Sequence, residues 1–418
     1  MAEKTIFVYE NWTELEPNLM GKLYVSYIRG KEQFSFEYET EWLTSMTANY
    51  LLDPDLALYN GRHYVPMDKT LFGLFADSCP DRWGRLLMRR REIELARKEE
   101  RKPKKLGESD YLLGVYDKAR IGALRFKTEK EGIFLSDDQE LSTPPWTTLR
   151  TLEAASWGFE NDENGLETKW LKQLLVPGSS LGGARPKATV KDERGNLWIA
   201  KFPSKHDEYN SGAWEMVVHD LAKMCGLDVP EAKLETFSKN GSTFLVKRFD
   251  RDGERRIHFA SAMTLLGKTD GASGDDGSSY LDLVSFIKAN GAEPKRDLKE
   301  LWKRIVFNMA VSNTDDHLRN HGFILSKNGW RLSPLYDVNP IPYGDTLSLN
   351  VNMNDNSISI ELAISVARYF GIREYEALEI KENIVKTVCG NWKLLAEKYG
   401  LTRSACEYMS PAFDMEFK

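Results

Sequence analysis

The first third of the chain alternates apolar and polar positions in short runs. Ile6-Phe7-Val8-Tyr9, Lys22 to Ile28 and Gln33 to Tyr38 have the period of two expected of half-buried strands. A helical stretch is predicted after Pro80. Further on, Ala188 to Lys191 and Leu197 to Phe202 flank a polar turn, Asp192 to Asn196 with Gly195, and predict a hairpin. Trp214, Val217, Val218, Leu221, Met224 and Cys225 recur at helical spacing, and Gly226 is placed to end that helix. Ser242 to Phe249 is strand-like again. Beyond residue 253 the pattern turns helical, with segments near 279–290, 298–313, 359–370, 374–388 and 391–399.

Polar stretches punctuate these runs. Arg89 to Lys105 is dense in charge and predicts a solvated helix end and loop. Glu160 to Gly165 is acidic and polar, a loop before the next domain, and Asp270 to Ser278 is a Gly/Asp/Ser stretch read as a mobile surface loop. The expected division is a strand-rich N-terminal subdomain over 1–140, a strand-and-helix lobe over 141–252, and a helical lobe over 253–418. The fold class is therefore α+β, strand-rich first and all-helical in its C-terminal lobe.

Composition narrows the function classes. With 418 residues, 41% hydrophobic and 29% charged, the chain has the make-up of a soluble globular protein of two or three domains. A net charge of −6 argues against coating nucleic acid by bulk electrostatics, so any DNA role is expected to come through a partner. Cys79, Cys225, Cys389 and Cys406 are scattered without metal-like spacing, as for reduced, packed thiols. The N-terminus lacks a signal-peptide core and no apolar run reaches membrane-spanning length, which predicts a cytoplasmic protein with no membrane partner.

The richest chemistry lies in Ser312-Asn313-Thr314-Asp315-Asp316-His317-Leu318-Arg319-Asn320-His321-Gly322, followed by Pro334-Leu335-Tyr336-Asp337. An aspartate stands five residues before an asparagine and 22 before a second aspartate. Protein kinases array an acceptor-orienting Asp, a metal-binding Asn and a metal-binding Asp in a similar order. Asp315 can accept a hydroxyl proton, while Asn320 and Asp337 offer oxygen ligands to Mg²⁺. Taken singly, Asp315 and Asp337 are equally good turn residues.

Four further features stand in matching order. Gly178 to Lys187 includes Ser180, Gly182, Gly183 and Ala184, and its glycines let backbone amides approach phosphate; it is not a Walker A loop. Strand alternation puts Lys201 on the face of Leu197 and Ile199, where its amine needs an anionic partner such as phosphate. Glu215 follows on the next helix, in the order of the kinase Lys–Glu pair. Lys247 to Phe249 ends a strand whose main chain suits an adenine ring.

Together Ser180-Leu181-Gly182-Gly183-Ala184-Arg185-Pro186-Lys187, Ile199 to Pro203, Glu215, Val246 to Arg251, Asn313 to Asn320 and Pro334 to Asp337 resemble the HipA family, bacterial serine/threonine kinase toxins of type II toxin–antitoxin modules. The resemblance implies a bilobal, protein-kinase-like fold that uses ATP and Mg²⁺. By it, Asp315 is the catalytic aspartate, Asn320 and Asp337 hold Mg²⁺, Lys201 contacts nucleotide phosphates and Lys247 with Phe249 form the hinge. It also implies a loop serine whose autophosphorylation shuts the enzyme off, matching Ser180, with Ser179 adjacent. Implied partners are a protein Ser/Thr substrate and a HipB-like helix-turn-helix antitoxin, with operator DNA reached indirectly through the antitoxin. Two other readings are a catalytically silent scaffold for a helix-turn-helix regulator, and a metal hydrolase using His317 and His321 at i,i+4 spacing.

Overall fold

The computed structural model describes residues 3–45, 50–135, 143–162, 174 and 185–415. It divides into two compact units, one of Met1–Lys205 with Lys247–Ala260, the other of His206–Val246 with Ser261–Lys418. The predicted α+β class is what the backbone shows.

In the first unit, β1 (Lys4–Glu10), β2 (Asn18–Ile28), β3 (Lys31–Tyr38), β4 (Arg62–Tyr64) and β5 (Leu124–Lys127) form one antiparallel sheet in the order β4-β3-β2-β1-β5. The period-two pattern fixes its register: Ile6 pairs with Leu23 and Leu23 with Phe36, all fully buried. Arg29 and Gly30 both take positive φ, 52° and 79°, the tight hairpin turn that joins strands twisted in the native hand. Helix α1 (Arg82–Lys98) starts where Asp81 accepts a hydrogen bond from the Gly84 amide at 2.8 Å. Trp83 and Leu87 on α1 cluster with Ala155 of α2 (Leu149–Asn161).

The predicted hairpin is present as β6 (Lys187–Lys191) and β7 (Leu197–Lys201), with Lys187 opposite Lys201. Asp192 builds its turn, accepting from the amides of Arg194 and Asn196, the Asn196 side chain and the Trp198 indole at 2.8–2.9 Å. Burial pushes the Asp192 carboxyl up, but these donors outweigh it and hold it at about 2.

In the second unit, α3 (Ser211–Met224) buries Trp214, Val217, Val218 and Leu221, and Gly226 at φ 67° closes it as expected. Beside it lies the hairpin β8 (Ala232–Ser238) and β9 (Gly241–Lys247). Asn210 joins the two: its Oδ1 accepts from the amides of Ala213 and Ser242, and its Nδ2 donates to Ser242 Oγ. Next come α4 (Tyr280–Asn290) and the amphipathic α5 (Pro294–Ala310), whose Leu301, Trp302, Ile305, Val306 and Met309 are fully buried. Pro294 stands in the first turn of α5, where its missing N–H costs nothing. The periods near 374–388 and 391–399 belong to a single helix, α6 (Glu374–Lys398), which runs through Gly390 with Val388 and Trp392 buried on either side. Trp392 of α6 stacks on Phe413 at 4.6 Å, with Trp214 of α3 against both.

Helices dominate this region, but the all-helical expectation for 253–418 needs correcting, since Arg255–Arg256 and Phe259–Ser261 are short strands. Gly322–Ser326 and Gly329–Leu332 form a short hairpin directly after the motif-bearing loop. Its turn includes Gly329 at φ 126°, where a side chain would also strike Asn290 O. Among the described residues, no helix is long and apolar enough to cross a membrane.

Candidate active site

Helix α5 ends at Ala310, and Ser312 takes φ 50°, so that the Asn313 amide turns back onto Asn308 O at 2.8 Å. A non-glycine residue in that region costs about 1–2 kcal/mol, so it persists only where neighbours hold it. Here they do. The Ile341 amide donates to Ser312 O at 3.1 Å, and the Asn313 side chain is fixed by Asn308 Oδ1 on one side and the Asn339 amide on the other.

The two adjacent aspartates of the following loop part company. Asp315 leaves 72% of its side chain exposed. Asp316 is buried, and its Oδ2 accepts from Tyr280 Oη at 2.5 Å, Asn308 Nδ2 at 2.6 Å and His321 Nε2 at 3.0 Å. Burial drives the Asp316 carboxyl up, but His321 and these donors outweigh it and hold it below the ordinary carboxylate range. The Tyr280 phenol is pushed well above its usual value by burial and by that carboxylate. Nothing in the pattern of apolar positions marks Asp316, Asn308, Tyr280 and His321 as one cluster; the signal available was four polar residues at sites whose apolar neighbours are core.

Asn320 is buried and its two amide atoms have different fates. Its Nδ2 donates to the Asp315 carbonyl at 2.8 Å, while its Oδ1 is buried with no hydrogen-bond partner. An unpaired buried acceptor costs about 1–3 kcal/mol, which a cation at that oxygen would offset. Asp337 lies on a segment tied to the same loop: Tyr336 Oη donates to Arg319 O at 2.7 Å, and Asn339 and Ile341 bond as above. Asp337 itself has φ 57°, one of four non-glycine residues with positive φ among those described. Strain of this kind concentrates at functional sites. An amide oxygen and a carboxylate oxygen are the hard donors that Mg²⁺ takes.

The histidine pair gives no metal site. His321 is buried against Asp316, His317 Nε2 stands 4.0 Å from Asp315 Oδ1, and no group of three His, Cys, Asp or Glu suited to a metal occurs among the described residues.

Glu215, on α3 in the same unit as Asp315, is buried rather than solvent-facing. Gly212, one turn earlier, has no room for a side chain: a Cβ would lie 2.1 Å from Ser242 O.

Lys201, Lys247 and Phe249 belong to the first unit. Lys201 ends β7 and is buried. Lys187 opposite it is 3.0 Å from Asp81, and its carbonyl accepts from the Trp83 indole, which fixes β6 to α1. Lys247 and Phe249 are half-buried and alternate with buried Arg248 and Asp250. Arg248 grips both Asp250 oxygens, at 2.8 and 2.6 Å, and donates to the carbonyls of Ala119 and Arg120. Asp250 also receives Arg251 at 2.7 Å and the Gly122 amide at 2.8 Å. Burial pushes the Asp250 carboxyl up, yet Arg248 and Arg251 outweigh it and bring it far below the ordinary range; burial brings Arg251 down to about 9. Ser180, Gly182, Gly183 and Ala184 lie outside the described residues.

A family model described as the HipA-like C-terminal domain matches residues 179–392. A Haemophilus influenzae protein named "Putative kinase" is 30% identical over 195 residues, 41% of this chain and 56% of that one. The "Serine/threonine-protein kinase toxin HipA" of Shewanella oneidensis is 24% identical over 201 residues, 41% of this chain and 46% of its own length. The match thus spans about half the length of these curated relatives. The solved structure of the Shewanella oneidensis MR-1 toxin–antitoxin system HipA, HipB and its operator DNA aligns over 97% of this chain and 96% of that one, with a TM-score of 0.67 and 17% identity. At that identity the likeness is one of fold.

Proposed function

Given that this chain belongs to the family defined by the HipA-like C-terminal domain, we propose that it is an ATP- and Mg²⁺-dependent serine/threonine protein kinase and the toxin of a type II toxin–antitoxin module. The observation that carries this reading is the Asp315–Asn320 loop. It presents one exposed carboxylate and one buried, unpaired amide oxygen, with Asp337 on a segment fastened to the same loop.

Each group has a defined task. Asp315 accepts the proton of the incoming serine or threonine hydroxyl and orients its oxygen for in-line attack. Asn320 Oδ1 and the Asp337 carboxylate would hold Mg²⁺, which would supply neutralisation of charge on the phosphate oxygens. The Asn320 amide, clamped on the Asp315 carbonyl, keeps metal site and acceptor site in one register. Lys201 contacts the nucleotide phosphates, and the main chain of Lys247 and Phe249 receives the adenine.

Control follows from charge. A phosphate on Ser180 adds about −1.5 to −2 charge to a loop that cradles phosphate, which opposes ATP binding. A helix-turn-helix antitoxin that binds operator DNA is the proposed neutralising partner. The test is transfer of labelled phosphate from ATP with Mg²⁺ to the protein itself and to a cell extract. Loss of transfer in Asp315→Asn is expected; equal transfer by wild type and variant would sink the assignment.

A further inference from the structure

The Asp270–Ser278 stretch lies at the surface, as expected, but is tied at Gly274 and Ser278 to a segment that leads to the catalytic motif. The Gly274 amide donates to Ser348 O at 2.8 Å, Asn350 Nδ2 to Gly274 O at 2.9 Å, and the Asn350 amide to Ser278 O at 3.0 Å. Ser348 Oγ in turn donates to Thr314 O, next to Asp315. From this braced segment two side chains reach the motif. Tyr280 donates to Asp316 Oδ2 at 2.5 Å, and Asp270 Oδ1 lies 3.3 Å from Arg319 Nε.

We propose that Asp316 and Tyr280 are positioning residues for the Asp315 carboxylate, and that the segment from Asp270 to Tyr280 braces the loop that carries it. The inference rests on the phosphotransfer reading above. Asp316 shares a peptide unit with Asp315, so the orientation of one constrains the other. Its three donors come from three elements: the start of α4, the last turns of α5, and the residue before the Gly322–Ser326 strand. A buried carboxylate is a poor device for stability alone, since an apolar residue of similar volume often does as well. A carboxylate accepting from three directions instead fixes one orientation of the loop. Small displacements of a catalytic group can cost about a hundredfold in rate.

The test uses the full-length protein with Tyr280→Phe, Asp316→Asn and the double variant. Steady-state phosphotransfer is measured beside the affinity for a non-hydrolysable ATP analogue and amide exchange over 313–320. Expected are a kcat lowered about tenfold in Tyr280→Phe and about a hundredfold in Asp316→Asn, ATP-analogue affinity unchanged within about twofold, and faster exchange in the loop. The double variant should lose no more than Asp316→Asn alone, because both changes cut the same link. Unchanged kcat in Tyr280→Phe, which removes one hydroxyl and keeps the ring, overturns the inference. So does a loss of kcat matched by an equal loss of analogue affinity. A wild type that transfers no phosphate overturns the kinase reading and this inference together, whereas wild-type transfer with unchanged kcat in both variants overturns this inference alone.

Discussion

Replacing Asp250 should destabilise the first unit more than any surface substitution near it. Asp250, Arg248 and Arg251 have side chains only 2%, 1% and 9% exposed. The wider cluster holds Arg120, Arg125 and Arg256 around Asp117, so the buried arginines already outnumber their carboxylates. Removing the Asp250 carboxylate leaves Arg248 and Arg251 with carbonyl partners only, at Lys118, Ala119, Arg120, Gly122 and residue 250 itself. Breaking a buried pair in this way costs about 3–5 kcal/mol. Asp250→Asn, which keeps one acceptor oxygen, belongs at the lower end and Asp250→Ala at the upper. In a unit of this size that is a fall in Tm of roughly 6–20 °C. The pH dependence has a definite sign. The folded carboxyl lies below its unfolded value, so its contribution is present above the ordinary carboxylate range and lost as pH falls through the folded value. The gap between wild type and Asp250→Asn should therefore narrow in acid. Differential scanning calorimetry of both variants, with exposed Asp252→Asn as control, measures all of this. A shift under about 2 °C for Asp250→Ala would refute the reasoning that this carboxylate balances the arginines.

Three other outcomes follow from particular contacts. Asn320→Ala and Asp337→Ala should each raise the Mg²⁺ concentration needed for half-maximal phosphotransfer by about tenfold or more, read from a Mg²⁺ titration at saturating ATP. Gly212→Ala puts a Cβ 2.1 Å from Ser242 O and should cost about 1–3 kcal/mol in urea unfolding, with Gly390→Ala, where nothing is near, neutral or slightly stabilising. Asp53, buried and raised to about 6 by desolvation, is protonated more readily folded than unfolded. It therefore costs stability at neutral pH and the cost is relieved as pH falls through about 6. Wild type should gain roughly 2–3 kcal/mol relative to Asp53→Asn between pH 7 and pH 4.

Elements with strong local patterns were legible in the sequence: β2 and β3 through alternation, the β6–β7 hairpin through its Asp192 turn, and α3 through its apolar stripe with Gly226 behind it. Bounds were less so. Pro294 extends α5 four residues earlier than periodicity suggested, since a first-turn proline carries no apolar signal. The segments near 374–388 and 391–399 are one helix, α6, with Val388 and Trp392 buried on either side of the gap. The Gly322–Ser326 hairpin was invisible because its strands are too short for a period to register. At the candidate site, spacing picked out Asp315, Asn320 and Asp337 but said nothing about exposure. The burial of Asp316 arises from contacts with Tyr280, Asn308 and His321 that only the folded chain brings together, and the unpaired oxygen of Asn320 is seen only once its Nδ2 is placed on the Asp315 carbonyl. Asp270–Ser278 lies at the surface as expected, with Asp270, Asp275 and Asp276 exposed, but the bonds that tie Gly274 and Ser278 to Ser348 and Asn350 are long-range and leave no local signal.

Intact mass of the purified protein before and after incubation with ATP and Mg²⁺, run in parallel on wild type and Asp315→Asn, bears most directly on the central claim. Wild type should gain whole phosphate increments, mapped by peptide analysis to Ser180 or its neighbour Ser179, and Asp315→Asn should gain none. A wild type that stays unmodified and phosphorylates nothing in a cell extract, or an Asp315→Asn variant that gains phosphate as fast as wild type, would contradict it.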